Sequence, residues 1–298
     1  SGNGYDSVLG ASTPGGFTSP TIDGDDNIDF NGLQTVKLNT SMTLTAINEH
    51  TQFVVLKMST PEETQNILNV DTAYAAGTRL FASTHDGNKF VTNGAVYYDE
   101  TATTPPVWGR SLPKFHQGYS VVGLAFSGTE VRMYHNGMIT RFTPNNAYPA
   151  SGASGWLGGF PGGTSANMYT LPAYFKLLNG SHVEVFNYAA TKAQVQDKGD
   201  YLMYLAGLSL IVFEVDSITQ GFTLTDNEEN YADKLVGYLN SNTVHKWAAC
   251  NISIGGRGID EAAAQDNTDT TVTYNWTTTA IACPIQPVLG SGNKNVFF

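Results

Sequence analysis

The pair Asp216-Ser217 stands where this chain could do chemistry. It follows Leu210 to Val215, a mostly apolar run rich in β-branched residues, which is the composition of a buried parallel strand. A strand that ends on a serine at a turn presents that hydroxyl at the carboxyl edge of an α/β sheet, where such sheets keep their ligands. Farther on, Tyr231, Leu235, Val236 and Leu239 recur at the spacing of one helical face, which predicts a helix over 230–240. Strand, serine and helix in that order make a nucleophile turn.

The wording around the turn is specific. Val215-Asp216-Ser217-Ile218-Thr219 is followed by Gly221 and by N-Y-A-D-K-L at Asn230 to Leu235. After a predicted strand over Val244 to Ala249 comes Cys250-Asn251-Ile252-Ser253-Ile254-Gly255-Gly256-Arg257. These two blocks, in this order, resemble the SGNH (GDSL-type) hydrolases. The resemblance implies a three-layer, flavodoxin-like α/β domain and an extracellular esterase acting on acylated carbohydrate. In it Ser217 is the nucleophile, the backbone N–H groups of Ser217 and Gly256 face the oxyanion, and Asp216 braces the turn.

The chain departs from that family in two places. Val215 stands where the family has glycine, putting a β-branched residue at a position that favours free backbone. The family's later blocks, Gly-x-Asn-Asp and Asp-x-x-His, have no counterpart before Phe298, and Lys294 to Phe298 reads as the start of a third strand. No upstream histidine lies in an Asp-x-x-His context. The expectation is therefore an SGNH domain cut short, with a parent reading frame that continues, no general base and an idle Ser217.

Ahead of this unit, short strand-like runs are separated by Gly, Asn and Pro turns, the spacing of a sandwich. The clearest are Val36 to Leu38, Phe53 to Met58, Arg79 to Ser83, Ala95 to Tyr98, Ser120 to Phe126, Val131 to Tyr134, Met138 to Thr143 and His182 to Asn187. Asn136-Gly137 lies between two of them and suits a type I′ turn, which needs positive φ at both central residues. The run Val131 to Ile139, with Trp156-Leu157-Gly158-Gly159 and the closing Gly180 to Asn187, resembles laminin-G-like and concanavalin-like jelly rolls. In that family a short helix succeeds the closing strand, and Thr191 to Leu205 fits it, with Thr191 as N-cap. The predicted fold is multidomain: a leader or edge segment over 1–21, an all-β jelly-roll sandwich over 22–208 and the partial α/β domain over 209–298. Gly207-Leu208-Ser209 is so short a linker that the two domains must pack together, and the sandwich is long enough to fold alone.

Charge and composition narrow the partners. A formal net charge of -11 over 298 residues argues against a nucleic-acid backbone or an anionic membrane, and no apolar run is long enough to span a bilayer. Neutral polymers such as glycans remain open, and the two resemblances imply a polysaccharide or glycoconjugate partner at an extracellular, cell-surface or virion location. Tyr97, Tyr98, Trp108 and Trp156 are the rings that could stack on sugars, and strand alternation assigns half of them to the core. Asp23, Asp25 and Asp26 could hold Ca²⁺, the one cofactor considered. Their loop lacks the twelve-residue EF pattern, which favours a solvated Asp-Gly turn. His85, His116, His135 and His182 lack metal spacing and read as surface or core residues, and Cys250 and Cys283 read as two free thiols. The competing class is a non-catalytic adhesion or structural protein of a cell surface or virion appendage, as a homo-oligomer or within a larger assembly.

Overall fold

A strand of six consecutive buried residues needs cover on both faces, and Leu208–Phe213 has it. In the computed structural model, which describes residues 17–37, 49–61, 65–70, 78–83, 94–99, 107–127, 130–142, 155–159, 172–180, 183–213, 231–251 and 295–297, this strand lies within an eleven-stranded sheet. Among the described residues there are seventeen strands and two helices. The larger sheet runs β1 (Thr21–Ile22), β2 (Ile28–Gly32), β13 (Ala173–Leu177), β4 (His50–Met58), β9 (Gly118–Phe126), β16 (Lys246–Asn251), β15 (Leu208–Phe213) and β17 (Asn295–Phe297). A hairpin of β10 (Val131–His135) and β11 (Met138–Phe142) joins it along β9, and β14 (Val183–Phe186) pairs with β4. The second sheet runs β3 (Thr35–Lys37), β12 (Gly155–Gly158), β5 (Gln65–Val70), β6 (Thr78–Ser83), β7 (Gly94–Asp99) and β8 (Val107–Lys114).

The two sheets form a mostly antiparallel sandwich. Its core is built by alternate residues of β4 and β9: Val54, Leu56, Met58, Val122, Leu124 and Phe126 meet Val36, Leu68 and Leu157 of the second sheet. The intervening residues Phe53, Val55, Val121 and Ala125 face the other way, onto α1 (Lys192–Leu205), where Val195, Leu202 and Met203 cover them. Thr191 caps α1 as expected: its hydroxyl accepts from the Gln194 N–H while the Gln194 side chain accepts from the Thr191 N–H, a reciprocal capping box.

β15 divides its residues between two layers. Leu208, Leu210 and Val212 join the α1 side, whereas Ile211 and Phe213 pack with Ala232 and Val236 of α2 (Tyr231–Asn242). β15 pairs in parallel with β16 on one side and with β17 on the other, so the first strand of the trio is central. The order β16-β15-β17 is also the order in which a doubly wound sheet opens. These parallel strands extend the sandwich's own sheet, because Ala248 of β16 pairs in parallel with Tyr119 of β9.

Asn136 makes the joint. It and Gly137 have φ of 45° and 91°, as the type I′ prediction requires. The turn is buried, however. Asn136 Oδ1 accepts from the Val121 N–H at 2.8 Å, continuing the pairing where β10 ends, and its Nδ2 donates to the Ala249 carbonyl at 2.6 Å. Cys250 is a free, buried thiol, as expected, and Cys283 lies outside the described residues. No helix among the described residues is long and apolar enough to cross a membrane.

Candidate functional site

Strand register sorts the aromatic residues. Across the second sheet, Val36, Leu157, Leu68, Leu80, Tyr97 and Gly109 occupy one row of directly paired positions. Val36, Leu157 and Leu68 belong to the sandwich core, so this row marks the inner face. The adjacent row is Lys37, Trp156, Asn69, Arg79, Tyr98 and Trp108, one residue from each of the six strands. Because the strand period is two, this row of positions alternates with the row that holds Val36, Leu157 and Leu68. Three of the four predicted aromatics thus share a line with two cations and an amide, and Tyr97 does not. At the usual separation of neighbouring strands the line is on the order of 24 Å long.

The aspartate loop is committed to itself. Asp23 Oδ1 accepts from the N–H groups of Asp25 and Asn27 and from the Asn27 amide, each at 3.0 Å. Lys176 Nζ lies 3.2 Å from Asp23 and 3.1 Å from Asp29, its single charge shared between the two carboxylates. The Asn27 side-chain bond, followed by the Asn27 backbone bond, holds the Asp23 carboxyl well below the usual carboxylate range. Asp26 takes the positive φ of the turn, 60°. Among the described residues no group of three or more His, Cys, Asp or Glu side chains is arranged to hold a metal ion.

Ser217, Asp216 and Gly256 lie outside the described residues. The elements on either side of the serine are described, and they frame a pair that no local motif announces. His116, in the connection from β8 to β9, places Nδ1 2.7 Å from Oδ1 of Asp233, in the first turn of α2. The N–H of Gln117 donates to the same oxygen at 3.3 Å. Both side chains are buried, at 4% and 5% exposure. A carboxylate in the first turn of a helix is also favoured by the helix dipole. The His116 ring lies 6.2 Å from that of Phe213, the last residue of β15, and Phe213 lies 6.0 Å from Tyr231, the first of α2. His116 Nε2 is buried without a hydrogen-bond partner.

Two other histidines are buried and take different surroundings. His135 Nδ1 lies 3.0 Å from the Pro113 carbonyl, and burial pushes its pKa down to about 3. Burial alone pushes His50 down to about 4. The reading of His135 as a core histidine is met. His116 is in the core as well, but with a carboxylate on one nitrogen.

No protein-family model matches this chain, and no curated protein does. Solved structures that are similar include the binding domain of Botulinum neurotoxin DC in complex with rat synaptotagmin II, at 8% identity over 69% of this chain and 49% of that one, with a TM-score of 0.43. The chain spans about half the length of such neurotoxin binding domains, 48% in the HCR/D-Sa-GBL1/C structure. Domain 4 of AbnA, an extracellular arabinanase of Geobacillus stearothermophilus solved with arabinotriose, is 15% identical over 66% of this chain and 90% of that one, with a TM-score of 0.42. The Ruminococcus gnavus IT-sialidase CBM40 bound to alpha2,3 sialyllactose is 11% identical over 52% of this chain and 83% of that one, with a TM-score of 0.39.

Proposed function

We propose that this chain is a glycan-binding β-sandwich joined to a serine ester hydrolase unit of SGNH type, working on acylated carbohydrate at an extracellular, cell-surface or virion location. The observation that carries the binding half is the row of directly paired positions Lys37, Trp156, Asn69, Arg79, Tyr98 and Trp108. Aromatic faces suit the C–H surfaces of sugar rings, and amide, ammonium and guanidinium groups suit their hydroxyls. A row of positions across six strands suits an oligosaccharide rather than a single sugar. The hydrolase half rests on the sequence blocks around Ser217 and Gly256, and on the parallel order of β15, β16 and β17 that supports their connection.

Retention of the full chain on immobilised neutral and acidic polysaccharides tests the binding half. Trp108→Ala and Trp156→Ala are each expected to weaken retention about tenfold, the equivalent of roughly 1.4 kcal/mol. Tyr97→Phe, on the inner row, is expected to leave it unchanged. A folded chain that passes unretarded over a broad panel, or binding indifferent to both tryptophans, would sink the glycan reading.

A further inference from the structure

We propose that Lys57, Tyr119 and Lys246 form a binding site for the carboxylate of an acidic sugar, on the large sheet beside the end of α1. The inference rests on the glycan reading and deepens it by naming a class of sugar, and it uses a different sheet from the row that contains Trp108 and Trp156.

Register brings the three residues together. Lys57 of β4 pairs directly with Tyr119 of β9, and Tyr119 pairs in turn with Ala248 of β16, two residues past Lys246 on the same face. Leu56 and Met58, on either side of Lys57, belong to the sandwich core, so Lys57 stands on the opposite face. Tyr119 packs against the cluster beneath α1, as does Ala206, the C-cap of that helix, and the site therefore lies where α1 ends. Both ammonium groups lie over the Tyr119 ring, Lys57 Nζ at 5.5 Å from its centroid and Lys246 Nζ at 5.9 Å. Lys57 and Tyr119 are half-buried and Lys246 is exposed, so a ligand in solution can reach them.

These two cations differ from their neighbours in having no carboxylate partner among the described residues. Lys176, directly across from Lys57 on β13, is shared by Asp23 and Asp29, while Lys198 meets Glu184 and Arg132 meets Glu130. Carboxylates are not scarce, since the chain has 26 acidic residues against 15 Lys and Arg. Two like charges held over one ring repel each other, and an anion that reaches both relieves the repulsion while accepting charge-assisted hydrogen bonds. The Tyr119 hydroxyl adds a neutral donor, because burial raises its pKa and keeps the phenol protonated.

The surroundings favour a sugar that carries the anion over a simple ion. Three adjacent strands spread the donors across roughly 10 Å, wider than a bare carboxylate. Farther along the same face, Tyr174 of β13 is half-buried, and Asn31 of β2, its directly paired neighbour, is exposed. A ring and a neutral amide suit the C–H surface and hydroxyls of a sugar, and a site for a simple anion needs neither. A chain with a formal net charge of -11 repels acidic ligands at a distance, so an acidic sugar binds only where local cations outweigh that field.

The test is titration calorimetry on the 298-residue chain with matched probes, tetragalacturonate against its methyl ester and N-acetylneuraminic acid against its methyl ester. At least one acid is expected to bind about tenfold or more tightly than its ester. Lys57→Gln and Lys246→Gln should each weaken the acid about tenfold and leave the ester unchanged, whereas Lys246→Arg should keep the preference. Trp108→Ala and Trp156→Ala should leave the ratio of acid to ester affinity as it was, which separates the two sheets. Circular dichroism establishes that each variant is folded, and if the Lys57→Gln/Lys246→Gln double variant does not fold the single variants carry the same test. Lysines that serve only the carboxyl end of α1 would lower the urea midpoint when removed and leave the preference intact, and that result would overturn the site. Acetate binding as tightly as either acid, or acids bound no better than their esters, would overturn it too while binding of the esters leaves the glycan reading standing. No binding of any probe would overturn both.

Discussion

Gly199 shows how one residue can reverse a general rule. Replacing a glycine inside a helix by alanine ordinarily stabilises by roughly 0.5–1 kcal/mol, because the unfolded chain loses freedom. In α1, however, a Cβ at Gly199 would sit 2.4 Å from the Tyr134 ring. That ring cannot retreat: its hydroxyl donates to Asp200 at 2.8 Å, and Gln196 holds the same carboxylate at 3.0 Å while also donating to the Gly137 carbonyl. Gly199→Ala should therefore destabilise by about 1–3 kcal/mol, read from the urea midpoint at unchanged slope. A stabilised variant would mean that the ring moves freely. The same scale separates what sequence can show from what it cannot. Tyr97 and Tyr98 are adjacent, and only the register of the neighbouring strands tells which shares a row with Trp108 and Trp156. His116 and Asp233 had no readable signal, since pairing across 117 residues leaves no spacing to detect.

At the scale of elements, the legible pieces are those whose pattern and local chemistry agree. α1 has its cap and capping box, α2 has its apolar stripe, β15 is uniformly buried, and the turn between β10 and β11 has Asn-Gly. β5 escapes pattern reading because Gln65 and Asn66 are polar yet fully buried. Gln65 bonds the Thr60 carbonyl and the Tyr174 N–H, and Asn66 bonds the Gly158 carbonyl, so side chains tie β5 to its neighbours where apolar packing would be expected. β8 carries a glycine and a proline, and reads as turn. Asn136 combines both situations: its turn chemistry was legible, its role as a joint was not. If it served the turn alone, Asn136→Gly would be nearly neutral, since glycine takes positive φ without strain. Because its amide also links Val121 to Ala249, the substitution should cost about 2–4 kcal/mol, leaving a buried N–H and a buried carbonyl unpaired. Chemical denaturation of the two proteins distinguishes these outcomes.

On the scale of the whole molecule, sequence suggests two domains divided near Leu208, and the described structure carries one sheet across that point. Among the named strands, pairing is antiparallel ahead of that point and parallel for the strands that follow it. What composition cannot convey is that β9 shares one edge between β10 and β16, a matter of where a hairpin ends. The shared sheet, the Asn136 joint and the core formed by Phe53, Val121, Leu210 and Val212 under α1 couple the two parts. A perturbation confined to the sandwich should therefore reach β16, and acid supplies one. His50 in β4 and His135 in β10 have pKa values lowered by burial from 6.5 to about 4 and about 3. The unfolded chain takes up these protons near 6.5 while the folded chain refuses them, so stability is full above that pH and declines as pH falls toward the folded values. Each site contributes on the order of 3 kcal/mol to the decline. Asp200, raised by burial, works in the opposite sense and offsets part of it. Hydrogen exchange read out by mass spectrometry should show 50–58 and 246–251 losing protection together between about pH 6.5 and 4. Persistent protection of 246–251 after 50–58 has opened would show that the parallel strands stand alone and that the coupling argued from the sheet is absent.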